Sequence, residues 1–571
     1  MKYKLNERSS HIEFTDLDYT DKILYNHGIR FPNEYRNLNS EYVHPYELLK
    51  NITEAANTLA LALKKDYNIG ILCDPDVDGI CSSSMVFQYI KKLFPESHIE
   101  YFIHSKKQHG LSNDINIPDN LAVLIVPDAG SNDVEQCKKL QEAGLTIIIL
   151  DHHEIEVENP YCYLVNPFNC DYPNKAASGA LISYKFLQAL DDVLWENEAD
   201  NYLDLVAFGL IGDSMDLSEY ENKFLVDYGL KHIKNKMLQA FIDKQEYSIN
   251  GIVNIQNIQY YISPLCNGLI RSGGYEEKDM MFRAFCQIYE EFDYEKRGSG
   301  LVKEGIYDRV ARLCVNAKAK QNREIDKYLE QIVPNIEKHE WNLNKILFCN
   351  AEELDGNYTG LVATKLANMY NRPCFLMRPT KDDNNILAGS ARNIDNSPIY
   401  DLKKFVLDTG LFEMAQGHAN AHGISIKKKN LKEAIDFVNE SLKDWDFEKF
   451  WTVDFILESN DITESFLSQC LEAKFHSFEA IVLIKNIVIH SSNIQLIGKE
   501  KNTMKFEFED STGEVIAEAI KFKLDKDDPI FEVLEDWGGK IVRIDAIVKI
   551  GENVYNGLTT KQLMILDYEI K

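Results

Sequence analysis

At 571 residues, with 45% apolar and 27% charged side chains, the chain is too long for one core and has the balance of a globular protein of about three domains. A formal charge of -28 excludes indiscriminate adhesion to nucleic acid, because a uniformly acidic surface repels a polyanion, while leaving room for a narrow basic groove beside bound cations. No apolar segment has the length of a membrane span, the opening MKYKLNERSSH carries no secretory apolar region, and the 11 cysteines form no C-x-x-C pair, so a cytoplasmic chain with reduced thiols is expected.

Residues 1 to about 67 read as mixed helical segments. In Pro45–Lys65, Leu48, Ile52, Ala55, Ala56, Leu59 and Leu63 repeat at helical spacing and predict a helix leading into the first core strand. That strand opens IGILCDPDVDGICSSS: an apolar run, Ile69 to Cys73, broken by Asp74, Asp76 and Asp78 in alternation and then by Gly79. Leu121 to Pro127 ends likewise at Asp128, and Leu145 to Leu150 at Asp151, His152 and His153. Short runs of Val, Ile and Leu predict parallel strands buried on both faces, and open α/β sheets build their sites beyond the carboxyl ends of such strands. A further apolar stretch, Leu205 to Gly212, ends at Asp213.

Any one of these aspartates could be a turn former or helix cap. An EF-hand loop starting at Asp74 would need a bidentate Glu at its twelfth position, where Met85 stands. Four apolar runs each ending at Asp, one followed by two histidines, favour a cation site instead. Carboxylates mixed with imidazole suit manganese, or magnesium with less nitrogen ligation, and such a set can hold two cations roughly 3.5 to 4 Å apart, the spacing that activates water against a phosphoester.

Farther along, His104, Lys106, Lys107 and His109 form a local cationic patch that is either a solvated loop or a phosphate contact. ISPLCNGLIRSGG reads as a Gly-rich loop in which Asn267 and Arg271 sit among small residues, Arg271 being either a surface charge or a guanidinium shaped to fork a phosphate. Ile306 to Val333 predicts one long helix, with Val310, Cys314, Ala317, Ile325, Tyr328 and Ile332 on a stripe and Pro334 as the stop. A second α/β unit follows: a strand Lys345–Asn350, a helix through Gly360 to Tyr370, and a strand Pro373–Arg378. After these, LAGSARN and QGHANAHG read as two loops fit for a phosphate, although His418 and His422 could merely cap a turn. From about 446 short strands predict an all-β unit, either an OB-like barrel that stacks single strands or a purely structural domain.

These motifs, in this order, resemble the RecJ-type single-strand exonucleases of the DHH phosphoesterase superfamily over most of the chain. DPDVDG resembles the family's D-x-D-x-D-G, Asp128 its second-motif Asp, Asp151–His153 the DHH namesake and GLIGDSMDL its fourth-motif Asp. PLCNGLIR resembles P-x-x-N-A-x-G-R, GSARN the associated domain's S-G-R-S, and QGHANAHG its G-G-H-x-x-A-A-G. The resemblance implies that Asp76, Asp78, Asp128, His152 and Asp213 are metal ligands and Asp74 a ligand or orienting neighbour. It puts His153, Asn267 and Arg271 at the scissile phosphate, Ser390, Arg392 and Lys106 on a terminal five-prime phosphate, and His418 in the same groove.

The fold class implied is α/β: a parallel-sheet DHH catalytic domain (1–240), a substrate loop and helical connector (241–339), an α/β DHH-associated domain (340–445) and an OB-like β-barrel domain (446–571). The activity implied is hydrolysis of single-stranded DNA from the five-prime end to mononucleotides, by a monomer using two divalent cations, Mn2+ preferred or Mg2+. A helicase or single-strand-binding protein would cooperate, in repair, recombination or replication. The alternatives are a phosphodiesterase for short RNA or small nucleotides, and a noncatalytic replication scaffold, which would require lost ligands. The sequence departs from the family pattern at Pro75, where Tyr is usual, at Cys81, Gln416 and His422, and in lacking the Gly-Asn segment before the barrel, a drift that fits a divergent or mobile-element member.

Overall fold

The computed structural model describes the chain except residues 12–16, 105–107, 112–115, 297, 299, 382, 395–396, 446, 536–538 and 556–557. Five parallel strands form the first sheet, in the spatial order Ile99–Ile103, Ile69–Cys73, Val123–Pro127, Thr146–Leu150, Tyr163–Val165. Ile69–Cys73 and Val123–Pro127 are buried along their whole length, which is why the sequence shows unbroken apolar runs there rather than alternation. From Ile69–Cys73 the chain crosses to the edge at Ile99–Ile103 and then returns to Val123–Pro127 on the other side. The winding therefore reverses between these two strands, and the crevice that such a reversal opens at their carboxyl ends is where Asp74 and Asp128 emerge.

Three helices pack together beneath this crevice: Val77–Leu93, Gly179–Leu194 and Leu203–Gly212. The last is the apolar stretch that ends at Asp213. It is buried almost all round, with Asp213 as its C-cap, a case in which periodicity cannot separate a buried helix from a buried strand. The helix leading into the sheet spans Ile52–Lys64 rather than starting at Pro45. Asn51 stands in the left-handed region (φ 67°) and separates it from a 3-10 turn at Tyr46–Leu48, a conformation that Asn tolerates better than most residues.

The Gly-rich segment expected as a loop is a helix, Ser263–Ser272, entered through a π-helical turn at Ile258–Ile262. Pro264 sits in its first turn, where a missing N–H costs little, Gly268 lies within it against Lys318, and Gly273 and Gly274 follow its end. The long connector runs Ile306–Lys338, through Pro334 rather than stopping there. The last turn is held because Ile332 and Ile336 both bury against Leu347 and Leu366 of the next unit.

That unit carries a sheet in the order Phe412–His418, Ala421–Lys427, Ile386–Arg392, Cys374–Pro379, Leu347–Asn350, all antiparallel except the last pair. LAGSARN and QGHANAHG are thus strands and a tight hairpin, not loops. Their small residues mark close backbone approach: a side chain at Gly389 would collide with the Leu376 carbonyl of the neighbouring strand.

The C-terminal unit is a seven-stranded sheet running from Phe455–Glu458 through Ile481–His490, Ile541–Tyr555, Leu558–Ile570, Val515–Lys521 and Thr503–Glu509 to Gln495–Ile497. A helix, Glu464–Phe475, that the strand reading passed over belongs to it. The Thr463 hydroxyl accepts the Phe466 N–H, and Phe466, Leu467, Cys470 and Ala473 bury in the unit's core. The first residues join this unit too: Tyr3–Leu5 pairs in parallel with Trp451–Val453, and the helix Tyr19–Asn26 packs on Glu464–Phe475. Among the described residues no helix is long and apolar enough to cross a membrane.

Candidate active site

Each carboxylate of DPDVDG has a different setting. Asp74 is buried and fully engaged, one oxygen 2.6 Å from Nδ1 of His109 and the other accepting the Gly110 N–H at 3.1 Å. Asp76 caps the helix Val77–Leu93, accepting the Gly79 N–H at 2.8 Å. Asp78 lies in the first turn of that helix, buried, and takes the N–H groups of Gly179 and Ala180 at 2.6 and 3.0 Å. It is thereby pinned at the start of the next helix, where the macrodipole favours negative charge.

Asp128 holds a left-handed backbone (φ 67°) and is 1% exposed. Its Oδ1 stands 3.2 Å from Nε2 of His152 and has no hydrogen-bond donor. A Cβ on Gly179 would lie 2.5 Å from both Cβ and Oδ1 of Asp128, so only glycine lets the helix Gly179–Leu194 abut this carboxylate. Nε2 of His152 also reaches Oδ2 of Asp213, at 3.5 Å. Asp151 does not face the cluster in the same way: its oxygens accept the N–H groups of Ser131, His152 and His153 and, at 2.7 Å, Nδ1 of His153. It orients the histidines that follow it.

The electrostatics follow from this crowding. Burial, then the charges of Asp78 and Asp76, pushes Asp213 up to about 8. Burial followed by the same neighbours raises Asp128 well above the carboxylate range, and burial lifts Asp74 to about 6 against the pull of His109. Burial opposes charge on His153, but the Asp151 hydrogen bond overrides it and raises the imidazole to about 9. Carboxylates crowded until they favour holding protons, beside a buried acceptor without a donor, are the mark of a site suited to cations. Three sets of donor atoms lie within 4.8 Å of one another: Asp128, Asp151, His152, His153; Asp78, His152, Asp213; and Asp74, Asp76, His109.

The cluster opens onto a cleft of about 1510 Å³ between the first sheet and the second α/β unit. Arg271 and Asn267 project from one face of the helix Ser263–Ser272, and Arg271 lines the cleft, where burial depresses its guanidinium against the pull of Asp76. Opposite stand Ser390, whose hydroxyl pairs with Thr359 at 2.9 Å, and Arg392, depressed by burial and by the nearby Arg271. His418 ends its strand and lines the cleft, lowered by burial and by the charges of His153 and Arg392. Lys106 lies outside the described residues.

The geometry therefore brings together Asp74, Asp76, Asp78, Asp128, His152 and Asp213, sets His153 and Arg271 beside them, and gathers Ser390, Arg392 and His418 across the cleft. Sequence reasoning passed over His109 as a contact of Asp74, and Asp151 as the group that fixes His153. The H-G at 109–110 was a signal for the first, since Gly110 has φ 63° and turns the backbone back onto Asp74. His104, placed with His109 in a cationic patch, is instead buried, with Nε2 3.0 Å from the Gly110 carbonyl. His422 is no turn cap either. It lies within the strand Ala421–Lys427, buried like Ile424 and Ile426 on the inner face.

Comparison with known proteins agrees with this arrangement. The DHH family N-terminal domain model matches residues 68–210 and the RecJ OB domain model residues 453–567. The protein named as an SPbeta prophage-derived single-strand DNA-specific exonuclease, YorK, of Bacillus subtilis strain 168 is 38% identical over 559 residues, 96% of this chain and 95% of the relative. The single-stranded-DNA-specific exonuclease RecJ of the same organism is 24% identical over 545 residues, 92% of this chain and 64% of the relative. Among solved structures, RecJ from Thermus thermophilus in complex with Mn2+ superposes with a TM-score of 0.71 at 17% identity, over the whole of this chain and 78% of the other.

Proposed function

The chain belongs to the RecJ-type family of single-strand DNA-specific exonucleases, and from that premise we propose that it hydrolyses single-stranded DNA from the five-prime end, releasing mononucleotides, with two divalent cations. The observation that carries the reading is Asp128: a buried carboxylate with a donorless oxygen, 3.2 Å from His152 and hemmed in by other acids. Asp76, Asp78, Asp128, His152 and Asp213 would hold the cations, and imidazole in the set favours Mn2+ over Mg2+. When bound, they supply Lewis-acid activation of water and of the phosphoryl oxygens.

The chain's own residues do the rest. Asp151 keeps His153 protonated and turned toward the cleft, so that His153 and Arg271 neutralise the scissile phosphate as charge builds on it. Ser390 and Arg392 clasp the terminal phosphate and set the polarity of digestion, and Arg392 is shaped for a forked, bidentate grip. Asn267 steadies the strand one helical turn from Arg271. Asp74, with both oxygens engaged, acts as an orienting group rather than a ligand.

End-labelled DNA and RNA strands, single and double, offered with Mn2+ or Mg2+, test the reading. Loss of label as mononucleotide from the five-prime end of single-stranded DNA is the expected result, abolished in Asp128→Ala. Preferential cleavage of dinucleotides would favour the small-nucleotide phosphodiesterase, and equal behaviour of Asp128→Ala and wild type would leave only a scaffold.

A further inference from the structure

A second, smaller cavity, of about 220 Å³, lies behind the metal-site loop, where the catalytic unit meets the C-terminal unit. Its walls include Ser214, Met215 and Leu217 of the segment that follows Asp213, Gln259 of the π-helical turn before the Arg271 helix, and Ser477 and Phe478 of the C-terminal unit. Ser214, Met215 and Asp216 line both this cavity and the main cleft, so the two spaces adjoin along that segment.

Ser477 is the informative residue. It follows the helix Glu464–Phe475 at the position where the backbone turns left-handed (φ 78°), and the Phe478 N–H returns to the Ala473 carbonyl at 3.1 Å to close the helix end. Glycine is the usual occupant of such a position because it adopts that conformation without strain. Serine here bears the strain, and its hydroxyl oxygen is buried without a hydrogen-bond partner. Across the cavity the Gln259 side chain likewise finds no protein partner among the described residues. An orphaned hydroxyl, an amide, a phenyl ring and a thioether around so small a space suit a flat heterocycle with polar edges. The space is below the roughly 300–1,000 Å³ typical of drug-sized ligand sites.

We propose that this cavity receives one nucleobase of the bound single strand, with Ser477 and Gln259 on its edge and Phe478 and Met215 against its faces. The proposal rests on the nuclease reading. The stretch from Asp213 to Ser218 spans at most roughly 18 Å, so the base belongs to a nucleotide only a few positions from the scissile phosphate. The pocket would then set the register in which the strand is held while it is cut, and it would tie the C-terminal unit to catalysis.

The test is an abasic scan. Full-length chain carrying Asp213→Asn, so that the strand is not consumed, is titrated with three-prime-labelled oligonucleotides that each lack a base at one position, in Mn2+. One position is expected to cost at least about fivefold in affinity, the others little. Adding Ser477→Gly should weaken the intact strand about three- to tenfold and erase the special position, while the melting temperature holds or rises because glycine relieves the left-handed strain. Gln259→Ala, away from the helix end, should act in the same direction. A flat profile in a protein that still binds single strands, or a profile unchanged by both substitutions, overturns the pocket alone. Wild-type protein that neither binds nor degrades a single strand in Mn2+ overturns the nuclease reading and the pocket with it.

Discussion

The crowded carboxylates make the cation-free protein sensitive to pH in a direction that can be worked out. Asp213 has a folded pKa of about 8, above the ordinary unfolded value near 3.9. Between these two values the folded state keeps a proton that the unfolded state has lost, so stability falls as pH rises, by about 1.4 kcal/mol per pH unit for this one group. From pH 5 to pH 7 that amounts to about 3 kcal/mol, or roughly 5–10 °C in the melting temperature of a unit of 150–250 residues. Bound divalent cations remove the repulsion, and the ligands release their protons to solvent as the cations bind. Melting with excess EDTA and with Mn2+ at pH 5 and pH 7 is therefore expected to show a cation-induced stabilisation that grows by about 5–10 °C between the two pH values. Asp213→Asn should raise the EDTA-treated protein's stability at pH 7 and flatten its pH slope by about one proton. An Mn2+ shift independent of pH, or an Asp213→Asn slope equal to wild type, would refute the reasoning.

Four further outcomes follow from the geometry. Gly179→Ala would drive a methyl group into Asp128, and calorimetry should show Mn2+ affinity reduced about 10–100-fold; unchanged affinity would mean that Asp128 is not a ligand. In Asp151→Asn, His153 loses the partner that raises it and returns toward about 6.5. The imidazolium, present in wild type until pH approaches 9, is then lost about two units earlier, and the alkaline limb of kcat/KM against pH should move down with it. Arg392→Gln should cut the preference for a five-prime phosphate over a five-prime hydroxyl about 10–100-fold, seen in the ratio of KM values for the two ends. Lys185 and Glu221 form a wholly buried pair at 2.8 Å. Lys185→Met should cost about 3–5 kcal/mol in urea unfolding by stranding Glu221, and Glu221→Gln in the same chain should restore part of it.

The strand ends were legible because a strand buried on both faces must be written in apolar residues, and the first polar residue after it marks the edge of the sheet. That logic located Asp74, Asp128 and Asp151 without any knowledge of how the strands pair. It also reached Asp213, although the apolar run before that residue is a buried helix and not a strand, because complete burial erases the periodicity that distinguishes the two. Small-residue stretches misled in a different way. Gly, Ser and Asn in GSARN and QGHANAHG resemble turn chemistry, yet here they let neighbouring strands approach, and only the pairing of Ser390 with Gly423 and of His418 with Ala421 reveals it. The union of Tyr3–Leu5 with Trp451–Val453 could not be read at all. A contact separated by most of the chain leaves no mark on local pattern.

The distribution of charge across the cleft explains how so acidic a chain can hold a polyanion. On the catalytic side carboxylates prevail, Asp76, Asp133, Asp151, Glu154, Glu156, Asp213 and Asp216 against Lys175 and Arg271; on the second α/β unit cations prevail, Arg378, Lys381, Arg392, Lys403 and Lys404 against Asp401 and Asp408. Neither wall suffices: the acidic wall repels a phosphate until cations neutralise it, and the basic wall is too small a patch to overcome the field of a chain with net charge -28. A strand is retained only where a phosphate meets cations on one side and guanidinium or ammonium groups on the other, which confines binding to the cleft and leaves the rest of the surface repulsive. High salt should therefore weaken binding with a shallow slope, set by the few contacts in the cleft, because each released counterion corresponds to one neutralised phosphate. A steep slope would place the strand on a broad basic surface that the sequence does not provide.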